Sequence, residues 1–268
     1  MSIFHYYIRT FENLSYFVKI SKDIQFIPIK TRALLPPKDD IYPVLDKYLP
    51  RFKEGDILVI TSKILGIHQG RCVRIEKDSL EEQEKLIMQE AEWYLPPKRR
   101  KGLKWHLTMK AKTLIANSGI DKSNGRGNYI LWPKNQQKLL REIRTYLKKK
   151  FKLSKIGVIS VDSHLVPLRT GTLSISTGFV GFEPWHDYRG EPDIFGRKLI
   201  YTKRNVVDSL AAISGFLMGE GNEKKPMVII REAKMVRFTN KNTYRKLAYP
   251  LKQDIFYPLL KVYKRNKK

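Results

Sequence analysis

The sequence predicts a mixed α/β fold, and three observations predict it. A basic segment with Leu139, Leu140, Ile143 and Leu147 at helical spacing leads directly into a nearly all-apolar run, Lys155 to Asp162. A second pair of the same kind follows: Val206 to Leu217 is apolar on nearly every side of a helix, and Pro226 to Ile230 continues as a buried strand. Finally, 268 residues with 42% hydrophobic content are enough to cover such strands with helices around a substantial core.

Taken in order, Gln25 to Lys30 reads as a short strand, and Asp56 to Lys63 as a clearer one that ends in a polar corner, Thr61-Ser62-Lys63. Ser79 with Glu82 makes a capping box for an acidic helix running to about Leu95, where Pro96-Pro97 stops it. Leu114 to Ala116 and Asn128 to Trp132 read as strands bracketing the loop Asn117 to Gly127, which is dense in turn formers and oxygen ligands. After the first helix and strand pair, Leu168 to Arg197 is rich in Gly, Ser, Thr and aromatics, which suits short strands and functional loops. Asn205 caps the apolar helix, predicted to be buried, and Gly219-Glu220-Gly221 ends it. With no internal repeat and no linker, residues 1–268 are expected to form one domain with a basic C-terminal extension from about 234 to 268.

Composition narrows the function. The apolar runs at Asp56 to Ile60 and Ile156 to Val161 are far below the roughly 20 residues of a membrane span. The start, Met1 to Arg9, has no basic lead before a long apolar core, so a cytoplasmic protein is expected. Cys72 is alone, which excludes an intramolecular disulfide and speaks against a cysteine zinc site. Fifty-two Lys and Arg against 26 acids leave +26, a balance that attracts nucleic acid, anionic membrane surfaces or small anions. The excess is spread over Lys98-Arg-Arg-Lys101 with Lys104, Lys110 and Lys112, over Lys148 to Lys155, and over Lys241 to Lys268. Trp105, Tyr244, Tyr249 and Tyr263 lie near that charge, yet no base-reading helix, zinc knuckle or aromatic sheet signature accompanies it. Nucleic acid is therefore expected to bind only non-specifically.

Three acidic residues stand where a solvated surface carboxylate has no need to be. Asp121 lies in the glycine-rich loop beside Ser123 and Asn124, Asp162 and Ser163 follow an apolar strand, and Glu220 stands between two glycines. Ligands gather outside the carboxyl ends of strands in α/β folds, and carboxylate and hydroxyl oxygens suit Mg²⁺ or Mn²⁺ beside nucleotide phosphates. The plainer readings are an Asx-turn at Asp121, a turn cap at Asp162 and a solvent-facing helix end at Glu220. Lys63, Arg169, Arg189 and Arg197 are further candidates for phosphate or carboxylate groups.

The ordered set Asn117 to Asn124, Ile156 to Ser163, Arg169-Thr-Gly171, Asp187-Tyr-Arg-Gly190, Asp193 to Arg197 and Met218 to Gly221 resembles the CofE family, γ-glutamyl ligases that extend the precursor of the deazaflavin coenzyme F420. The resemblance runs from about Pro28 to Arg231. It implies a two-lobed subunit in an intertwined homodimer, and a GTP- or ATP-dependent ligase joining L-glutamate to an anionic acceptor. That acceptor is the deazaflavin precursor or a folate-like acid. It also implies that Asp121 and Asp162 bind one divalent metal while Ser163 and Glu220 bind a second, Asp121, Asp162 and Glu220 being catalytic, with K⁺ a further ion of the site. Asn124, Ser62, Lys63 and the turn of Met218, Gly219 and Gly221 would hold the nucleotide, and Arg169, Arg189 and Arg197 the substrate. Departures fall where specificity is set: Ile67 stands for a second lysine, Thr31-Arg32-Ala33-Leu34 replaces a glycine-leucine-proline nucleotide loop, and Ser163 replaces threonine, followed by His164, Leu165 and Val166. Relaxed GTP preference is expected from them. His164 is expected to be a hydrogen-bonded structural histidine rather than a general base.

Overall fold

The computed structural model describes residues 24–96 and 105–266; the basic cluster at Lys98 to Lys101, Lys104 and the start of the chain lie outside them. In chain order the strands and longer helices are β1 (Gln25–Ile29), α1 (Tyr42–Tyr48), β2 (Ile57–Thr61), α2 (Ser62–His68), β3 (Cys72–Arg74), α3 (Leu80–Glu90), β4 (Trp93–Tyr94), β5 (Leu107–Lys110), β6 (Thr113–Ala116) and β7 (Asn128–Ile130). There follow α4 (Gln136–Phe151), β8 (Gly157–Leu165), β9 (Thr172–Val180), β10 (Trp185–Asp187), β11 (Lys203–Asn205), α5 (Val206–Met218), β12 (Met227–Arg231), α6 (Tyr244–Leu247), α7 (Tyr257–Leu260) and β13 (Lys264–Arg265). The fold is mixed α/β.

A five-stranded sheet of order β1-β12-β2-β8-β9 forms the centre. Only β2 and β8 are parallel, paired from Ile57 with Gly157 to Thr61 with Val161. Because side chains alternate across a strand, an all-apolar strand must be covered on both faces. Leu58, Ile60, Val158 and Ile229 face a core filled by Leu139, Leu140, Ile143 and Leu147 of α4 and by α1. Ile57, Val59, Ile159, Val161, Val228 and Ile230 face the other way, onto Val207, Leu210 and Ala211 of α5. At about 25 cal/mol per Å² of apolar area, this two-sided burial is the main support of the sheet. Separate small sheets, β13-β4-β5-β6 and β3-β7, sit beside it.

Several elements depart from the sequence reading. Ser62 and Lys63 open α2 rather than closing a strand, since Ile64, Leu65 and Ile67 bury a helical face. The Ser79 cap holds, its oxygen accepting from the Glu82 amide at 3.1 Å, but α3 stops at Glu90 instead of near Leu95. Trp93 and Tyr94 pair with Met109 and Thr108 there, and sheet pairing overrides the helical pattern. Asn205 caps α5 as expected, its Oδ1 accepting from the Asp208 amide at 3.0 Å. That helix is not buried all round, for Ile213 is 46% and Phe216 85% exposed. The basic C-terminal segment is packed: Phe238, Tyr244 and Leu247 rest on the second core, and β13 pairs with β4.

Candidate active site

Parallel pairing of β2 and β8 sets Ser62 and Lys63, which follow β2, beside Asp162 and Ser163, which lie within the second half of β8; that strand runs on to Leu165, paired with β9, rather than ending at Asp162 as the apolar pattern suggests. A cavity of about 280 Å³ opens at this edge. Three more segments close around it: Thr31 to Leu34 after β1, Asp121 and Asn124 of the glycine-rich loop, and Met218 to Pro226 from the end of α5, with Ile64 and Ile67 of α2 supplying an apolar wall. Backbone bonds hold the rim, the Thr31 amide donating to the Lys224 carbonyl at 2.9 Å and the Thr61 amide to that of Pro226 at 3.1 Å.

The Asn117–Gly127 loop is aimed inward by its own polar bonds. The Asp121 carboxylate accepts from the Ser123 amide at 2.7 Å, an Asx-turn, and its backbone bonds to Ile130 in both directions. Its other oxygen lies 2.6 Å from Lys63 Nζ, which also donates to Ser123 Oγ at 2.9 Å. Asn124, held at φ 56°, crosses the cavity mouth to donate to the Gly221 carbonyl at 3.1 Å. The plain reading of Asp121 as an Asx-turn is thus correct, and the same side chain also faces the cavity.

Asp162 sits at the floor. It accepts the indole N–H of Trp132 and the amide of Ser163, the latter at 3.0 Å. Burial pushes this carboxyl up to about 6; the nearby Asp121 carboxylate adds to the rise, while the indole, the Ser163 amide and Lys63 oppose it. Trp132 is itself fixed by Gly119, whose φ is +69° and where a Cβ would stand 2.2 Å from the indole nitrogen, so no larger residue fits. Across the cavity, Glu220 Oε1 accepts from Ser163 Oγ at 2.7 Å and from Thr172 Oγ1 at 3.1 Å.

Among the described residues no three His, Cys, Asp or Glu side chains converge as a ready metal cage. The oxygens gather instead as two pairs, Asp121 with Asp162 and Ser163 with Glu220. Such incomplete hard-oxygen sets fit Mg²⁺, which usually takes one or two carboxylates, substrate phosphates and water. Asp121 and Asp162 line the same cavity and repel each other, and Lys63 at 2.6 Å from Asp121 already offsets part of that charge, leaving room for a cation to relieve the rest.

The structure brings Thr31, Arg32, Ala33, Leu34, Lys63, Asn124, Asp121, Asp162, Ser163, Met218, Gly219, Glu220 and Gly221 to one cavity, while Ser62 lies beneath it beside Asp121 and Asp162. It does not bring Arg169, Arg189 or Arg197 there: all three are exposed, and Arg189 is paired with Asp187 at 2.6 Å. His164 departs from expectation too, because its half-buried ring leaves Nδ1 without a hydrogen bond, and it is not among the residues lining the cavity. Sequence reasoning missed Trp132, Thr172 and Glu223; Glu223 accepts from the Gly221 amide at 2.8 Å. Trp132 stood at a strand end with no motif around it, so only the fold could link it to Asp162.

Comparison with known proteins adds an independent line. The family model described as F420-0:Gamma-glutamyl ligase matches residues 29–232. A "Coenzyme F420:L-glutamate ligase" of Methanococcus maripaludis is 41% identical over 143 residues, 53% of this chain and 56% of that protein, so the chain spans only about half of that relative. The protein of the same name from Archaeoglobus fulgidus is 30% identical over 78% of this chain and 87% of its own length. That of Methanopyrus kandleri is 26% identical over 85% and 96%.

Proposed function

The chain belongs to the F420-0:gamma-glutamyl ligase family, and from that premise we propose that it joins L-glutamate to an acidic acceptor of the coenzyme F420 type through an amide bond, consuming GTP or ATP. The observation that carries this reading is the cavity at the end of β2 and the second half of β8, where Asp121, Asp162, Ser163 and Glu220 face one another beside Lys63.

A carboxylate is a poor electrophile. In the proposed reaction an acceptor carboxylate oxygen attacks the γ-phosphorus and the nucleoside diphosphate leaves. The glutamate amine then attacks the acyl phosphate carbon, and phosphate departs as the nitrogen loses its proton. Lys63, held against Asp121 and Ser123, would donate to phosphate oxygens. Asn124 and the Met218 to Gly221 turn frame the space for the nucleotide. Asp121 with Asp162, and Ser163 with Glu220, would hold Mg²⁺ or Mn²⁺. When bound, these ions would offset the charge of the transferred phosphoryl group.

Specificity for the nucleotide rests on Ile67 and Thr31 to Leu34, which line the same cavity. With an apolar side chain where the family carries lysine, ATP is expected to serve within a hundredfold of GTP in kcat/KM. A homodimer is part of the reading: Ile194, Phe195 and Tyr201 are 92%, 89% and 88% exposed between β10 and β11, and large exposed apolar side chains of this kind suit a partner surface. No helix among the described residues is long and apolar enough to cross a membrane. The test is direct: the protein is incubated with the deazaflavin precursor, glutamate, Mg²⁺ or Mn²⁺ and either nucleotide, and product mass and phosphate release are followed. Gain of one glutamyl unit per phosphate supports the reading; phosphate release with no amide product, or neither, contradicts it.

A further inference from the structure

Trp132 also lines a second and larger cavity of about 670 Å³, within the size range of small-molecule sites. Its wall is assembled from distant parts of the chain: the end of α3, the β5–β6 turn, the first turn of α4 with the loop before it, and Tyr244. The charge in that wall is one-sided. Glu90 is taken up by Arg71 at 2.7 Å and Lys110 at 2.6 Å, and Glu92 accepts from the Ala111 amide at 3.1 Å. Lys112, Lys134 and Arg141 also line the cavity and form no ion pair among the described residues, while Lys138 has only a 3.9 Å contact with Glu142.

Two further features concentrate positive charge on this wall, where Lys112, Lys134, Lys138 and Arg141 are all solvent-exposed. Lys134 and Lys138 flank the start of α4, which has no side-chain cap and no acidic residue in its first turn. Cations there face the positive end of a helix dipole, the wrong sign for stability. The β5–β6 turn places Lys112 on the cavity through two successive left-handed residues, Ala111 at φ 48° and Lys112 at φ 62°. A ligand that matches helix amides and several ammonium and guanidinium groups carries more than one negative charge.

We propose that this cavity is a second ligand site, and that it takes a small polyanion carrying several carboxylate or phosphate groups. This goes beyond the ligase reading and stands or falls separately from it. Trp132 gives the site a route to the first cavity, since Lys110 Nζ lies 5.6 Å from the center of its ring and its N–H holds Asp162.

Two probes separate the possible sources of the charge: tri-γ-glutamate for carboxylates, and tripolyphosphate for phosphates. Each is titrated calorimetrically into the full chain after divalent metal has been stripped by dialysis against a chelating resin, in 0.15 M salt, which screens charges farther than about 8 Å. Saturable one-to-one binding of at least one probe is expected, and the tighter one names the source. The variant K134Q/K138Q/R141Q should weaken it tenfold or more, whereas K252Q/K261Q/K264Q, with equal charge removed from the C-terminal segment, should change it less than twofold. Should the first variant fail to fold, Lys112→Gln alone is expected to weaken binding about threefold. The site is refuted if neither probe binds saturably, or if the two triple variants lose affinity equally.

Discussion

Two aspartates on the same parallel strand pair, Asp56 fully enclosed and Asp162 half-buried, are treated differently. Asp56, just before β2, is fully enclosed, yet its charge is answered completely: Arg231 forks onto it with bonds of 2.9 and 2.7 Å, and the Lys53 amide adds another at 2.9 Å. Its own carbonyl accepts from Gly157, where β8 begins. Asp162, further along β8, has two N–H donors, no ion pair among the described residues and the Asp121 carboxylate nearby. One carboxylate is finished by the fold; the other is left needing something from outside. The difference gives a physical reason, independent of any motif, for proposing a structural role for Asp56 and a ligand-binding one for Asp162, because a poorly compensated carboxylate costs stability that a ligand can return.

The comparison can be sharpened by neutralising each side in turn. The largest expected effect is on turnover: Asp162→Asn, and likewise Asp121→Asn or Glu220→Gln, should lower the ligase rate about a thousandfold or more, roughly 4 kcal/mol of barrier, with the fold intact by circular dichroism. Near-native turnover in Asp162→Asn would remove it from the site. By contrast, Asp56→Asn should leave the half-buried Arg231 without its anionic partner and cost about 1–3 kcal/mol in urea unfolding, while the folded fraction keeps its kcat. A smaller effect is expected from Trp132→Phe, which keeps the ring but deletes the N–H: about 1–2 kcal/mol of stability is lost. Since that N–H favours the Asp162 anion, the acid limb of the kcat/KM profile should also move to higher pH; an unmoved limb would mean that Asp162 is not the group titrating there.

The contrast between the two aspartates also explains what the sequence disclosed. The apolar strands and the capped helices α3 and α5 were legible because period and cap are local properties. The order of Asp121, Asp162, Ser163 and Glu220 was legible as a resemblance, and parallel pairing of β2 with β8 then put them at one edge. The compensation of each charge was not legible. Arg231 meets Asp56 across 175 residues and Trp132 meets Asp162 across 30, and no spacing rule reaches either pair. The exposed side of α5 was hidden for a related reason: Phe216 counts as apolar in any pattern, whatever it faces. Short elements such as α2, β4 and β5 were missed because only pairing and packing with distant segments fix them.

The central claim, that the fold leaves Asp162 uncompensated so that a cation and nucleotide can complete it, is tested most directly by unfolding wild type and Asp162→Asn across pH, with and without Mg²⁺ and nucleotide. A carboxyl held near 6 in the folded chain and near 3.9 when unfolded destabilises the fold as it ionises. The penalty is absent below pH 4, grows between about 4 and 6, and is complete above 6. Without ligand, Asp162→Asn should therefore be more stable than wild type at pH 7 by about 1–3 kcal/mol, with the gap closing toward pH 4. With Mg²⁺ and nucleotide the order should reverse, wild type gaining the larger stabilisation. A variant no more stable than wild type at pH 7, or one stabilised by Mg²⁺ and nucleotide as strongly as wild type, would contradict the account.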